Sequence, residues 1–130
     1  MSGGLHWFSY HDPPGPASDL AVRRYVTAYL NVPVYQAFQA WLGRGEALEP
    51  MWRAWRRGDR RAAVSAVPAN VMNDLIIRGS MSEITAHVHR YLDAGIDTAS
   101  LAVSSVEEDP ARRRAILLDA VRALAPAARG

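Results

Sequence analysis

His11 stands directly before Asp12, and an imidazole next to a carboxylate supplies the residue types of an acid/base group with an orienting partner. Neighbours on extended backbone point to opposite faces, so adjacency alone does not join them, and a surface histidine in a turn is the structural alternative. His87 and His89 lie two apart on an expected helix, which sends them to different faces and disfavours a metal pair. Arg53, Arg56, Arg57, Arg60 and Arg61 form the densest basic cluster. Such a cluster can contact phosphate, but cations also favour the C-terminal end of a helix, here near Gly58. Tyr25, Tyr29 and Tyr35, with Phe38, Trp41, Trp52 and Trp55, recur at helical spacing. They read either as packing anchors or as the wall of an apolar substrate pocket. There is no cysteine and no lysine. That excludes thiolate metal sites, disulfides, cysteine nucleophiles, Schiff bases and the P-loop lysine.

The elements that must carry these groups follow from capping and periodicity. Leu5 to Tyr10 is short and aromatic, as a strand would be, and the prolines from Pro13 to Pro16 end it. Ser18 or Asp19 is expected to cap a helix to about Leu30, with Leu20, Tyr25 (or Val26) and Tyr29 as its packed stripe. Pro33 opens a second helix carrying Val34, Tyr35, Phe38, Trp41 and Leu42, stopped by Gly43. A third runs from about Glu46 to Arg57, and Asp59 caps a short fourth. Pro68 opens a fifth, whose buried side is expected to hold Val71, Met72, Leu75 and Ile76. Ser80 and Glu83 have capping-box spacing before a helix with Ile84, Val88, Tyr91 and Leu92 on one face and a stop at Gly95. Thr98 to Ser104 reads as a strand buried on both faces. Asp109 and Pro110 start the last helix, expected to bury Ile116 or Leu117, Val121 and Leu124. The ends, Met1–Gly4 and Ala125–Gly130, are expected to fray.

Composition bounds the class. At 130 residues and 49% hydrophobic content the chain reads as a single folded domain over 1–130. Neither a membrane span nor a basic, apolar leader is evident, so a cytoplasmic protein is expected. The net charge of +2 gives no strong case for a nucleic-acid partner. The fold class expected is α/β, mostly helical, with two parallel strands and a long helical excursion between them.

Val32-Pro33-Val34-Tyr35, Trp41-Leu42-Gly43, Trp55 to Asp59, Arg78-Gly79-Ser80 with Glu83, and Tyr91 to Asp97 occur here in one order. That series resembles the C-terminal portion of luciferase-like monooxygenases, particularly their deazaflavin-dependent oxidoreductases, and it spans about Leu5 to Leu124. The resemblance implies a partial TIM barrel in which Leu5–Tyr10 and Thr98–Ser104 are the last two strands. It implies hydride transfer or monooxygenation with the deazaflavin coenzyme F420 or FMN. A complete barrel takes about 250 residues, so the residues for the cofactor ring and phosphate tail are expected outside this chain. Barrel sites lie at the carboxyl ends of strands. Tyr10, His11 and Asp12 hold that end of the first strand, and Ser104, Ser105 and Glu107 that of the second. His11 is then the catalytic candidate, and Tyr10, Tyr25, Tyr29 and Tyr35 the substrate-binding candidates. A homo-oligomer, or a partner chain completing the barrel, is expected. The alternative is a non-catalytic interaction or dimerisation protein of the same descent.

Overall fold

The computed structural model describes residues 4–12 and 15–125. Of the ends expected to fray, residues 1–3 and 126–130 lie outside them, as do Pro13 and Pro14, whereas Gly4 belongs to the first strand and the Ala125 N–H donates to the Val121 carbonyl. The chain is mostly helical, with one small parallel sheet. Its elements are β1 (Gly4–Tyr10), α1 (Pro16–Leu30), α2 (Pro33–Gln39), a π-turn (Ala40–Arg44), α3 (Gly45–Arg56), α4 (Arg60–Ala66), α5 (Ala69–Leu75), β2 (Ile77–Arg78), α6 (Met81–Asp93), β3 (Ala99–Ser104) and α7 (Pro110–Leu124). They fall into two compact units: a sheet unit, Met1–Ser18 with Leu75–Gly130, and a helical unit, Asp19–Asp74.

In the sheet unit the strand order is β2-β1-β3, with β1 parallel to both neighbours. The expected pairing of the first and last strands is present, Gly4 opposite Ala99 and Tyr10 opposite Ser104, with a register shift between His6 and Ser9. Two strands were expected and three are found. Ile76 and Ile77 explain the difference: consecutive β-branched residues are stiff at χ1 and favour extended backbone. The fifth helix therefore ends at Leu75, and Ile76 is buried beyond it.

Ser80 caps α6 as its spacing predicts: its hydroxyl accepts from the Glu83 N–H, and the Glu83 carboxylate accepts from the Ser80 N–H at 2.7 Å. Those bonds hold the Glu83 carboxyl below the usual carboxylate range. Helix α6 buries Ile84 and Val88 against Ile77, and Leu92, Ala99, Leu101 and Leu124 pack around them. Tyr91 is displaced from that face and stacks on His87 at the exposed rim.

Strand β3 is not buried on both faces. Ala99, Leu101 and Val103 are half-buried while Ser100, Ala102 and Ser104 are exposed, the alternation of a sheet covered on one side. Helix α7 buries Ala120, half-buries Ile116, Leu117 and Leu124, and leaves Val121 exposed. Covering three strands requires only a narrow apolar stripe, and Val121 falls one residue, about 100° of helical turn, away from Ala120.

Among the described side chains, most of the fully buried ones belong to the helical unit. Helix α1 buries Val22, Val26 and Leu30, spaced four apart: of the expected stripe Val26, the alternative to Tyr25, is buried and Tyr29 half-buried, while Leu20 and Tyr25 face solvent. The helix also begins earlier, at Pro16, a residue suited to the first helical turn. Leu48, Met51 and Trp52 from α3, Ala63 from α4, and Val71 and Met72 from α5 complete this core. The Trp52 indole donates to the Leu30 carbonyl at 2.9 Å, satisfying two buried polar groups at once. In α2 and its π-turn the expected packing residues Val34, Phe38, Trp41 and Leu42 are instead exposed. Tyr35 is half-buried and Gln39 fully buried, with Arg44 donating to Gln39 Oε1 at 2.8 Å. Gly43 ends this segment with φ of +82°, in the left-handed region where a side chain is strained.

Candidate functional site

The carboxyl end of β1 gathers the polar side chains of the sheet unit. The parallel ladder continues one residue beyond the strand: the His11 N–H donates to the Ser104 carbonyl at 3.2 Å. Ser9 donates through its hydroxyl to the Ala102 carbonyl at 2.9 Å, filling the gap left by the register shift. Asp12 is buried, and its carboxylate accepts from the Val106 N–H, tying the exit of β1 to the loop after β3. In that loop Ser105 Oγ accepts from the Glu107 N–H at 3.1 Å, and Glu107 accepts from the Asp109 N–H at 3.1 Å while lying 3.7 Å from Arg112.

Two buried polar atoms at this end have no hydrogen-bond partner among the described residues: the Tyr10 hydroxyl and Nδ1 of His11. Burial pushes the Tyr10 phenol up to about 12, and the negative charge of Asp12 and the approach of its carboxylate to the hydroxyl add to the rise, although the pair does not reach hydrogen-bond geometry. At neutral pH it is a protonated donor. The imidazole nitrogen donates or accepts according to tautomer. Orphaned buried polar atoms cost about 1–3 kcal/mol each, and in native structures they concentrate where a ligand or water completes them. Asp12 does not supply the missing partner at His11 Nδ1, so the acid/base pair suggested by adjacency is not formed there.

Topology marks the same place. The chain leaves β1 toward β2 on one flank, and then crosses to β3 on the other. In open parallel sheets, ligands bind outside the carboxyl ends of strands at such a switch point.

The remaining candidates lie elsewhere. Tyr25, Tyr29 and Tyr35 belong to the helical unit. Tyr29 and Tyr35 stack with ring centroids 4.1 Å apart. Tyr29 is pushed up to about 12, by burial first and then by the neighbouring phenols of Tyr35 and Tyr25. His87 stacks on Tyr91 and bonds Arg90 at 2.9 Å, while His89 is exposed. The arginine cluster is partly engaged: Arg56 pairs with Glu49 at 2.7 Å, and Arg60 lies 3.7 Å above the Trp55 ring. No group of three metal-ligating side chains lies together among the described residues, and no described helix is long and apolar enough to cross a membrane.

Sequence reasoning missed β2, the Val106 amide that holds Asp12, and the isolation of His11 Nδ1. Only β2 had a signal, the Ile76-Ile77 pair before Arg78-Gly79. No family model, curated protein or solved structure matches the chain.

Proposed function

We propose that this chain is the C-terminal portion of a luciferase-like oxidoreductase, and that the carboxyl end of β1 binds the oxygen of a small carbonyl or alcohol substrate. The observation that carries this reading is the pair of buried polar atoms at the switch point of a parallel sheet: Tyr10 Oη beside the Asp12 carboxylate, and His11 Nδ1 with no partner among the described residues. Tyr10 donates a hydrogen bond to the substrate oxygen. That bond strengthens as negative charge develops there during reduction, which is the kind of interaction that lowers a barrier. His11 binds the same substrate through Nδ1. Asp12 is a positioning residue, acting through the Val106 amide on the geometry of the edge.

The parallel neighbours β1 and β3 correspond in this reading to the last two strands of a barrel. β2 then takes the flank of β1 where the preceding barrel strand would run, and the further strands come from outside this segment. Coenzyme F420 or FMN supplies the hydride, or activates oxygen, when bound. At this edge Asp12 and Glu107 are acidic, Arg112 lies against Glu107, and Arg78 stands opposite Tyr10 on β2. Cofactor binding is assigned to the barrel portion beyond these strands.

Cyclohexanone is a suitable probe for the substrate subsite. With the full chain, its infrared carbonyl stretch is expected to shift to lower frequency on binding, and Tyr10→Phe is expected to abolish the shift. A carbonyl band unchanged by the wild-type chain, or a shift that survives Tyr10→Phe, overturns the assignment.

A further inference from the structure

We propose that the exposed face of α2 and its π-turn is a homodimer interface, covered by the same face of a second copy of this chain. The inference uses only the helical unit and is independent of the oxidoreductase reading. Val34, Phe38 and Trp41 form one stripe along the helix, and they are 66%, 49% and 79% exposed. The Phe38 and Trp41 rings stack with centroids 5.8 Å apart, so the stripe presents a preformed aromatic surface. Val32 and Leu42, close by in sequence, are exposed too, as is Tyr25 on α1 at 59%.

Area favours a protein partner. A large aromatic side chain carries about 150–250 Å², so these six residues leave on the order of 600 Å² of side-chain surface open. A standard interface takes about 800 Å² from each partner. The largest apolar patch of a typical monomer is about 300–600 Å² and is often functional, so apolar exposure on this scale points to a use.

Charge identifies the partner. The chain is 22% charged, yet no charged side chain occurs from Tyr25 to Gly43. A two-fold axis brings a patch against itself, so every charge near the axis meets its like. A neutral aromatic face avoids that repulsion, whereas a face for an acidic or basic partner would carry the opposite sign. Interfacial membrane helices are rich in Lys and Arg on the polar face, and this stretch has neither.

The stripe is distinct from the hydrogen bond and ring stack that tie the segment inward. Inward contacts of the segment are made by Tyr35, on Tyr29, and by Gln39, on Arg44. Substituting Phe38 or Trp41 therefore leaves those contacts in place.

Sedimentation velocity on the full chain tests the proposal. The wild type is expected to be a dimer at micromolar concentration. Trp41→Asp and Phe38→Asp are each expected to weaken association roughly tenfold or more, the size of an interface hot spot, with unchanged circular dichroism at low temperature. The chain has no cysteine, so Val34→Cys provides a second readout that needs no disruptive change. Mild oxidation is expected to cross-link it to a covalent dimer, while Ala86→Cys on the exposed side of α6 remains uncross-linked. A monomeric wild type overturns the proposal, and so does a dimer indifferent to both aspartates. Binding to neutral phosphatidylcholine vesicles by a chain that stays monomeric overturns it in favour of a membrane surface.

Discussion

The helical unit and the sheet unit solve the packing problem to different depths. In the helical unit Val26, Leu30, Leu48, Met51, Val71 and Met72 are wholly buried, and the buried Trp52 indole has its partner. The sheet unit closes around Ile77, Ile84 and Val88 with half-buried neighbours, exposes alternate residues of β3, and leaves two buried polar atoms unpaired. Stability and binding capacity are thus separated along the chain. Among the described side chains, burial concentrates between Asp19 and Asp74, and uncompensated polarity at the end of β1. A deep core tolerates no orphan groups, whereas a site must keep some for its ligand.

Matched core truncations break this comparison most directly. Met72→Ala and Ile84→Ala both belong to a class that costs about 2–5 kcal/mol. Met72→Ala is expected near the upper end, Ile84→Ala near the lower, because the small sheet core can relax around the gap. Urea unfolding followed by tryptophan fluorescence and circular dichroism measures both. Equal losses would remove the distinction.

Within the sheet unit the entry to α6 is the next largest effect. Gly79 has φ of +138°, and a Cβ there would lie 2.5 Å from Oε2 of Glu83. Gly79→Ala forces strained backbone and displaces the capping carboxylate, an expected cost of about 1–3 kcal/mol. Ser80→Ala removes the cap alone and is expected to cost about 1 kcal/mol. Thermal unfolding of the two variants should rank them in that order.

The smallest effect is a pH dependence at His87. Burial, and then the Arg90 cation, lower its pKa. The folded chain therefore resists protonating it while the unfolded chain does not. This contribution is fully present above the ordinary histidine pKa of about 6.5, and is lost as pH falls below it toward the lowered value. His87→Gln is expected to flatten the stability profile in that window and leave it unchanged above pH 7.

Local chemistry made much of this fold legible. The capping box of α6, the Asp59 and Asp109 caps and the glycine stops at Gly43, Gly58 and Gly95 were all readable, because each depends on a few neighbouring residues. The parallel pairing of β1 with β3 was readable from a short, largely apolar segment after a capped helix, although its burial on both faces was not borne out. Helix faces were less so. Tyr25 and Val26 both satisfy a helical period, and the choice of Val26 for the core depends on what packs opposite. The exposure of Phe38 and Trp41 has the same origin: periodicity gives an apolar stripe but not its cover. The site was legible only as residue types. Tyr10, His11 and Asp12 could be placed at a strand end, but the Asp12 bond to the Val106 amide spans most of the chain, and no spacing rule reports it.

The claim that chemistry belongs to the carboxyl edge of β1 is tested most directly by amide chemical shifts of the full chain titrated with cyclohexanone. Saturable changes are expected at Tyr10–Asp12 and Ser104–Glu107, with the amides of α3 unmoved and the response lost in Tyr10→Phe. Shifts absent from that edge, or concentrated on the Phe38–Trp41 face, would contradict the account.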